Sequence, residues 1–291
     1  MIHETILVTG ATGTVGREIV KQLSIVDGVR VRAGVHSVIK GENLKRLPDV
    51  EVVGIEFTNP ESLHAAFTHA DKLFLITPLA DNQVKMAKTL IDEAKKAGVK
   101  YIVNLSALSA GEELGIQLGK WHREIEKYIE ASGIPFTFLR PASFMQNFVN
   151  YGSKNIKESD TIYMPSGDGK VGYIDTRDIA AVGVEVLQGN SHEGMVYDLT
   201  GPEALSIHDV ANIISEVTGK SIRYVDVPEE AEREAMAEEG MADWMIDAML
   251  ELHGANKSGR TQYVTNMVQE IIGRKPHSFH HFVQDYKECF I

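Results

Sequence analysis

The sequence has one cysteine, no excess of basic residues and no long hydrophobic run, and each shortage excludes a class of protein. Cys289 alone cannot form an intramolecular disulfide, which is typical of a reducing compartment. The net charge of −12 argues against nucleic acid as the main partner, because phosphate binding needs a basic patch. No apolar run is long enough to cross a bilayer, and a strand pattern already begins at residue 5, which leaves no room for a signal peptide. We therefore expect a cytoplasmic protein that binds neither nucleic acid nor membrane.

The composition is that of an ordinary globular protein. Of its 291 residues, 43% are hydrophobic and 24% are charged, so the chain can bury a large core. Much of the acidic excess lies in residues 229–251, which is most simply the solvated face of a helix. The length suits one large domain or a domain with a smaller appendage, and for the second case we place the two parts at residues 1–150 and 151–291.

The first sixteen residues predict a strand, a glycine turn and a helix. The turn reads Gly-Ala-Thr-Gly-Thr-Val-Gly and directly follows the apolar run at residues 5–9. Gly10 would allow the tight turn, Gly13 the approach of a pyrophosphate, and Gly16 the close packing of helix on strand. Phosphates bind the free N–H groups at such a helix start. A glycine loop without a ligand is the alternative to this dinucleotide site, whose expected contacts are Gly10, Ala11, Thr12, Gly13, Thr14, Val15 and Gly16.

Strand and helix patterns alternate from residue 5 to residue 140. The predicted strands are residues 5–9, 29–35, 50–57, 71–77, 99–106 and 136–140, and the predicted helices between them are 41–47, 60–67, 82–97 and 120–131. This alternation is typical of the α/β class and predicts a doubly wound parallel Rossmann sheet with helices on both faces.

Beyond residue 151 the pattern loosens into shorter pieces. We predict strands at 161–164, 171–174 and 195–199, helices at 176–187 and 207–218, an acidic helix, a short strand near Tyr263 and two final helices. The fold is therefore expected to end in a smaller C-terminal α/β region that covers the substrate, with some of its elements returning to the sheet.

The loop after the second strand bears on the choice of coenzyme. An NAD site usually has Asp or Glu about twenty residues past the glycines, where it binds the ribose 2′-hydroxyl. This chain has His36 and Ser37 there, with Lys40 and Arg32 nearby. Cationic and hydroxyl donors suit a 2′-phosphate, so the loop favours NADP. NAD stays possible because a neutral His binds phosphate less well than Arg, and His36 as an ordinary loop residue is the alternative.

Further motifs resemble one family. Residues 132–141, 144–148, 173–180, 197–202 and 273–276, together with the glycine turn, resemble the NmrA-like branch of the atypical short-chain dehydrogenase/reductase family. The resemblance implies a Rossmann domain that binds NAD(P). It also implies either NAD(P)H-dependent reduction of quinones, azo dyes or triphenylmethane dyes, or a coenzyme-sensing regulator that catalyses nothing.

The resemblance also implies positions for the coenzyme and the substrate. Glu56 stands where a carboxylate contacts adenine, and Lys120 stands where relatives hold the nicotinamide ribose. The other coenzyme contacts carried over from the family are Thr77, Pro78, Pro141, Ala142, Ser143 and Phe144. For a small aromatic substrate we expect contacts from Met145, Asn147 and Trp244, although the helical stripe that contains Trp244 is usually core.

The chain lacks the Tyr-x-x-x-Lys motif of the main short-chain dehydrogenases. None of its nine tyrosines has Lys four residues later, so alcohol dehydrogenation and sugar-nucleotide epimerisation by that tyrosine are not expected. An electrophilic acceptor needs no such acid, and we predict hydride transfer from NAD(P)H to a quinone or dye. A non-catalytic NAD(P) sensor that acts through a protein partner is the alternative.

Three residues are candidates for catalysis. Lys120 would hold the ribose or be a plain surface lysine, and Ser106 would bind substrate or merely cap its strand. His122 would donate a proton or form a structural pair with Glu126, four residues later. The histidines at 277, 280 and 281 lack a supporting carboxylate or cysteine cluster, so no metal is expected. The oligomeric state stays open.

Overall fold

A mostly parallel sheet of seven strands is the main element of the structure, a computed structural model that describes residues 4–111 and 115–291. The strands of the described chain are β1 (Glu4–Val8), β2 (Val29–Val35), β3 (Val50–Gly54), β4 (Lys72–Leu75), β5 (Tyr101–Leu105), β6 (Phe136–Pro141), β7 (Thr161–Met164), β8 (Val196–Leu199) and β9 (Arg223–Asp226). The sheet order is β3-β2-β1-β4-β5-β6-β8, and β7 pairs with β9 separately. The order reverses between β1 and β4, which confirms the predicted doubly wound Rossmann sheet.

The helices lie between these strands and follow β9. They are α1 (Thr14–Leu23), α2 (Pro60–Phe67), α3 (Gln83–Ala97), α4 (Gln117–Ser132), α5 (Asn147–Asn150), α6 (Ser153–Ser159), α7 (Thr176–Gln188), α8 (Ile207–Thr218), α9 (Glu229–Glu238), α10 (Asp243–Lys257), α11 (Met267–Ile272) and α12 (Phe279–Asp285). Local chemistry fixes several ends: Asn59 caps α2, and Ser206 and Asp209 form a capping box at α8. Within the described ranges, no helix combines the length and the apolar character that a membrane crossing requires.

The chain forms two compact units that interleave along the sequence. The first unit comprises residues 1–110, 121–140 and 176–197, and the second comprises 111–120, 141–175 and 198–291. The predicted domain boundary at residue 150, and the assignment of 151–291 to a substrate-covering region, stay predictions.

In the first unit, α3 and α4 pack on one face of the sheet. This layer is a continuous apolar core whose central members are Leu73, Leu75, Leu90, Ile91, Ile102, Ile125, Ile129 and Phe138. Elsewhere in the unit, α1 packs against α7. A Cβ on Gly183 of α7 would lie 2.7 Å from both Ile19 and Phe74, so the glycine permits this close packing. These helices cover the sheet, and the glycine turn follows its strand β1.

The second unit has its own aromatic core. Phe148 packs edge-on against Tyr173 and Phe279, with ring centroids 5.1 and 5.3 Å apart. Apolar residues of α8 and α12 complete this core, among them Val210, Ile214, Phe282 and Val283.

The C-terminal predictions need three corrections. The predicted strand near Tyr263 is wrong, since the backbone there runs without a pairing strand, and β9 forms earlier instead. The acidic stretch forms two helices, α9 and α10, because Gly240 adopts a φ of +81° between them. Residues 171–174, predicted as a strand, make only isolated bridges, Val171 to Leu205 and Ile174 to Phe144.

Candidate coenzyme and active site

The glycine turn joins β1 to α1 in a shape that only glycine permits. Gly10 has a φ of +61°, a left-handed conformation that residues with a Cβ rarely adopt. A Cβ on Gly16 would lie 2.2 Å from the Gly10 carbonyl oxygen. A Cβ on Gly13 would meet only that same oxygen, at 3.2 Å, and Gly13 provides no side-chain cap for α1. The turn therefore fits a pyrophosphate, which needs an open glycine surface and an uncapped helix start.

Hydrogen bonds hold the loop after β4 beside this turn. Thr9 Oγ1 donates to the carbonyl oxygen of Ile76 and accepts from its N–H, both at 2.8 Å. The next residue, Thr77, accepts through Oγ1 from Gln83 Nε2 at 3.0 Å. The side chain of Ile76 also limits the space around Gly10, where an added Cβ would lie 3.2 Å away. Thr77 and Pro78 are thus at the carboxyl end of β4, as predicted for coenzyme contacts.

The loop after β2 presents polar side chains to solvent. His36 and Lys40 are exposed and Ser37 is half-buried. His36 Nδ1 lies 3.7 Å from Glu56 Oε2. Arg32, expected near this loop, is engaged elsewhere: it pairs with Glu51 of β3 at 3.3 Å and donates to the carbonyl of Thr68 before β4. The polar side chains that this loop offers to a 2′-phosphate are therefore those of His36, Ser37 and Lys40.

A buried carboxylate lies behind the ends of β5 and β6. Glu126 is fully buried on α4 and accepts from Arg140 in two hydrogen bonds, at 2.8 and 2.6 Å. Ser106 Oγ donates to it at 2.7 Å, and Arg123 at 3.2 Å. Burial alone would raise the pKa of Glu126, but the hydrogen bonds from Arg140 and Ser106, with the charges of both arginines, hold it below its ordinary value. Because Ser106 donates its only proton to this carboxylate, its oxygen can serve a ligand only as an acceptor.

His122, on the same helix, does not hydrogen-bond to Glu126. The hydrogen bonds of that carboxylate come from Ser106 and the two arginines, so the predicted pair interacts through charge alone. Burial lowers the pKa of His122 to about 4, and the Glu126 charge opposes this shift only in part. His122 is therefore neutral at physiological pH, and its role in proton donation stays a prediction.

Sequence reasoning missed three polar residues of the first unit, of which Arg140 is half-buried and Gln83 and Asn104 are buried. Arg140, next to Pro141 in the apolar strand β6, could have been found as the one charged residue of that strand. Gln83 and Asn104 are 2% and 1% exposed, and among the described residues Gln83 Oε1 and Asn104 Nδ2 have no hydrogen-bond partner. Buried polar groups of this kind mark places where a ligand or a water completes the hydrogen bonding.

The remaining predicted coenzyme residues belong to the second unit. Lys120 is exposed on α4, and its N–H donates to Ile116. After β6 the backbone is held by three hydrogen bonds: Ala142 N–H to Leu199, Ile174 N–H to Ser143, and Met145 N–H to Ile174. Pro141 is buried and Phe144 half-buried in this ordered segment. Their coenzyme roles stay predictions.

The predicted substrate residues occupy different environments in that unit. Met145 is 1% exposed and packs in the aromatic core, and its contact with a substrate stays a prediction. Asn147 is exposed at the start of α5, and Trp244 is half-buried at the start of α10. Within residues 4–111 and 115–291, no group of three or more His, Cys, Asp or Glu residues could hold a metal ion.

Comparison with known proteins places this chain in a family. A model of the NmrA-like family matches residues 3–283, and the chain belongs to that family, as its motifs predicted. The NAD(P)H azoreductase of Xenophilus azovorans is 37% identical over 285 residues, which cover 98% of this chain and 99% of that protein.

Two solved structures share the fold over nearly their whole length. An NADPH-dependent quinone oxidoreductase from Escherichia coli, complexed with NADPH, superposes with a TM-score of 0.87 at 26% identity and covers 97% of this chain and 99% of its own. The triphenylmethane reductase of Citrobacter sp., complexed with NADP(H), gives 0.84 at 29% identity with the same coverage. Over nearly its whole length the chain is thus similar to an azoreductase, a quinone oxidoreductase and a triphenylmethane reductase.

Proposed function

We propose that this protein transfers hydride from NADPH to a flat, electrophilic aromatic acceptor such as a quinone or a cationic dye. Its class, an NAD(P)H-dependent reductase, is confirmed by its relatives; the acceptor is the proposed part. The observation that carries the proposal is the glycine turn, where a Cβ on Gly16 would lie 2.2 Å from the Gly10 carbonyl oxygen, so that α1 can start this close to Gly10 only with a glycine there. When bound, NADPH supplies the hydride.

The first unit supplies binding and orientation. The turn at residues 10–16 would hold the pyrophosphate, and His36, Ser37 and Lys40 would receive the 2′-phosphate. Thr77 would contact the coenzyme beside the turn, because Gln83 fixes its hydroxyl at the end of β4. Ser106 would accept a hydrogen bond from coenzyme or substrate, since its hydroxyl hydrogen is donated in a hydrogen bond to Glu126. We also propose contacts from Lys120 and residues 141–144, on family resemblance.

The residues around Lys120 favour an acceptor whose reduction needs no proton from a side chain of the protein. Ile116, buried, stands where the dehydrogenase tyrosine would precede Lys120. His122 has a pKa of about 4 and is a poor donor at neutral pH. A quinone that receives a hydride at one oxygen or carbon can take its balancing proton from water. The protein's contribution is then to hold the acceptor in position against the bound coenzyme, which supplies the chemistry.

A panel assay tests the proposal. Loss of NADPH absorbance is followed with quinones, azo dyes and triphenylmethane dyes, for the wild type, Gly13→Asp and Gly13→Ala. Gly13 has an ordinary φ, and the added Cβ meets one atom at 3.2 Å, so both variants should fold. Asp sets a charge against the phosphates, so we expect turnover to fall at least about a hundredfold with Asp and far less with Ala. Tight NADPH binding without turnover of any acceptor would overturn the proposal and favour a coenzyme sensor.

A further inference from the structure

The ends of β2 and β3 bring a carboxylate to the loop that is expected to receive the 2′-phosphate. The two strands pair in parallel, with Val35 opposite Gly54, and the Ile55 N–H donates to Val35 at 2.8 Å. The residues that follow therefore emerge at the same edge of the sheet. His36 Nδ1 and Glu56 Oε2 are 3.7 Å apart, and both side chains reach solvent.

Local hydrogen bonds fix this carboxylate in place. Glu56 Oε1 accepts from the hydroxyl of Thr58 at 3.0 Å and from its N–H at 3.4 Å. The Glu56 N–H donates to Ser62 Oγ at 3.2 Å, and that hydroxyl donates to Gly54 at 3.1 Å. The Thr58 hydrogen bonds lower the pKa of Glu56, with a smaller contribution from His36. Glu56 is thus a fixed negative charge at neutral pH.

We propose that Glu56 determines coenzyme specificity by opposing the 2′-phosphate of NADPH and accepting the 2′-hydroxyl of NADH. This inference rests on the coenzyme part of the proposed function. A 2′-phosphate carries nearly two negative charges, which His36, Ser37 and Lys40 attract and Glu56 repels. A ribose hydroxyl instead donates to a carboxylate, as in NAD sites where the acidic residue follows the second strand. Here the acidic residue follows the third strand. Its charge reduces the difference between the affinities for NADPH and NADH, so both coenzymes bind.

The size of the expected effect on NADPH binding depends on the solvent exposure of the Glu56 side chain. Two phosphate charges at about 6 Å from a carboxylate, in a dielectric close to that of water, correspond to a five- to tenfold change in binding. Salt screens such exposed charges, so the effect should shrink as ionic strength rises.

The test is coenzyme binding without any acceptor. Dissociation constants of NADPH and NADH are measured by titration calorimetry for the wild type, Glu56→Gln and Glu56→Asp. We expect Glu56→Gln to raise the ratio of the NADH constant to the NADPH constant about fivefold or more, with NADPH bound more tightly, and Glu56→Asp to stay near the wild type. Glu51→Gln is the matched control, because it removes an equal charge from β3 where that carboxylate pairs with Arg32, and its ratio should not change.

Two results would overturn the inference. Equal weakening of both coenzymes by Glu56→Gln would make Glu56 an adenine contact only. Weaker NADPH binding by that variant would mean that Glu56 serves to position His36.

Binding of 2′,5′-ADP, which has the phosphate but no nicotinamide, should improve in Glu56→Gln alone. A protein that binds NADPH in this pattern yet reduces nothing would refute the proposed reductase acceptor and leave the role of Glu56 intact.

Discussion

The buried carboxylate of Glu126 should be a major source of stability for the first unit. Glu126→Gln keeps the shape of the side chain but leaves one acceptor oxygen for donors from Ser106, Arg123 and Arg140. The amide nitrogen would then face an arginine. Breaking a buried ion pair costs about 3–5 kcal/mol, and since the Arg140 side chain is 16% exposed and can partly rehydrate, we expect about 3 kcal/mol.

A double-mutant cycle separates the pair from its surroundings. Urea unfolding is followed by Trp121 fluorescence in a Trp244→Phe background, which reports on the first unit because the chain has only two tryptophans. Arg140→Met alone should cost about as much as Glu126→Gln, and the double variant should cost less than the sum by about 1.5 kcal/mol or more.

A nearby carboxylate provides the control for this cycle. Glu130 also pairs with Arg123, at 2.8 Å, but its side chain is 39% exposed, so Glu130→Gln should cost less than about 1 kcal/mol. A loss below about 1 kcal/mol for Glu126→Gln, or strictly additive costs in the cycle, would refute the reasoning.

Two further predictions concern a histidine and the glycines. Burial lowers the folded pKa of His122 to about 4, so the unfolded chain takes up its proton first as the pH falls. Unfolding free energy should therefore drop by about 2–3 kcal/mol between pH 6.5 and pH 4, and an unchanged slope in His122→Gln would contradict this. Gly16→Ala should abolish NADPH binding or folding, because its Cβ would meet Gly10, whereas Gly254→Ala, in an open helical position, should stabilise by about 0.5–1 kcal/mol. Thermal unfolding and coenzyme titration measure the stability and the NADPH affinity of the two variants. If Gly16→Ala and Gly254→Ala had the same stability and the same affinity, the prediction would be wrong.

Local patterns in the sequence were sufficient for the main elements of the fold. The predicted strands at 29–35 and 161–164 have the ends of β2 and β7, and the predicted helix at 60–67 has the ends of α2. These signals depend on nearest neighbours along the chain, so they need no knowledge of packing. The prediction near Tyr263 was wrong because a strand also needs a partner, which only the sheet topology supplies.

The candidate site also combines features that the sequence predicts with features that depend on the tertiary structure. The sequence by itself determined the glycine turn, the family and the coenzyme class, because each depends on residue types at short, fixed spacings. Only the tertiary structure decided that Arg32 pairs with Glu51, that Glu56 lies beside His36, and that the Ser106 hydroxyl donates a hydrogen bond to Glu126. Those pairs are 19 or 20 residues apart in the chain. Arg32 and Glu51 meet because they lie opposite each other in the paired strands β2 and β3, and His36 and Glu56 meet because they follow the ends of the same strands. Ser106 and Glu126 meet because α4 packs against the sheet. Burial, and with it the charge and hydrogen-bonding direction of each group, is a property of that packing and has no local signature.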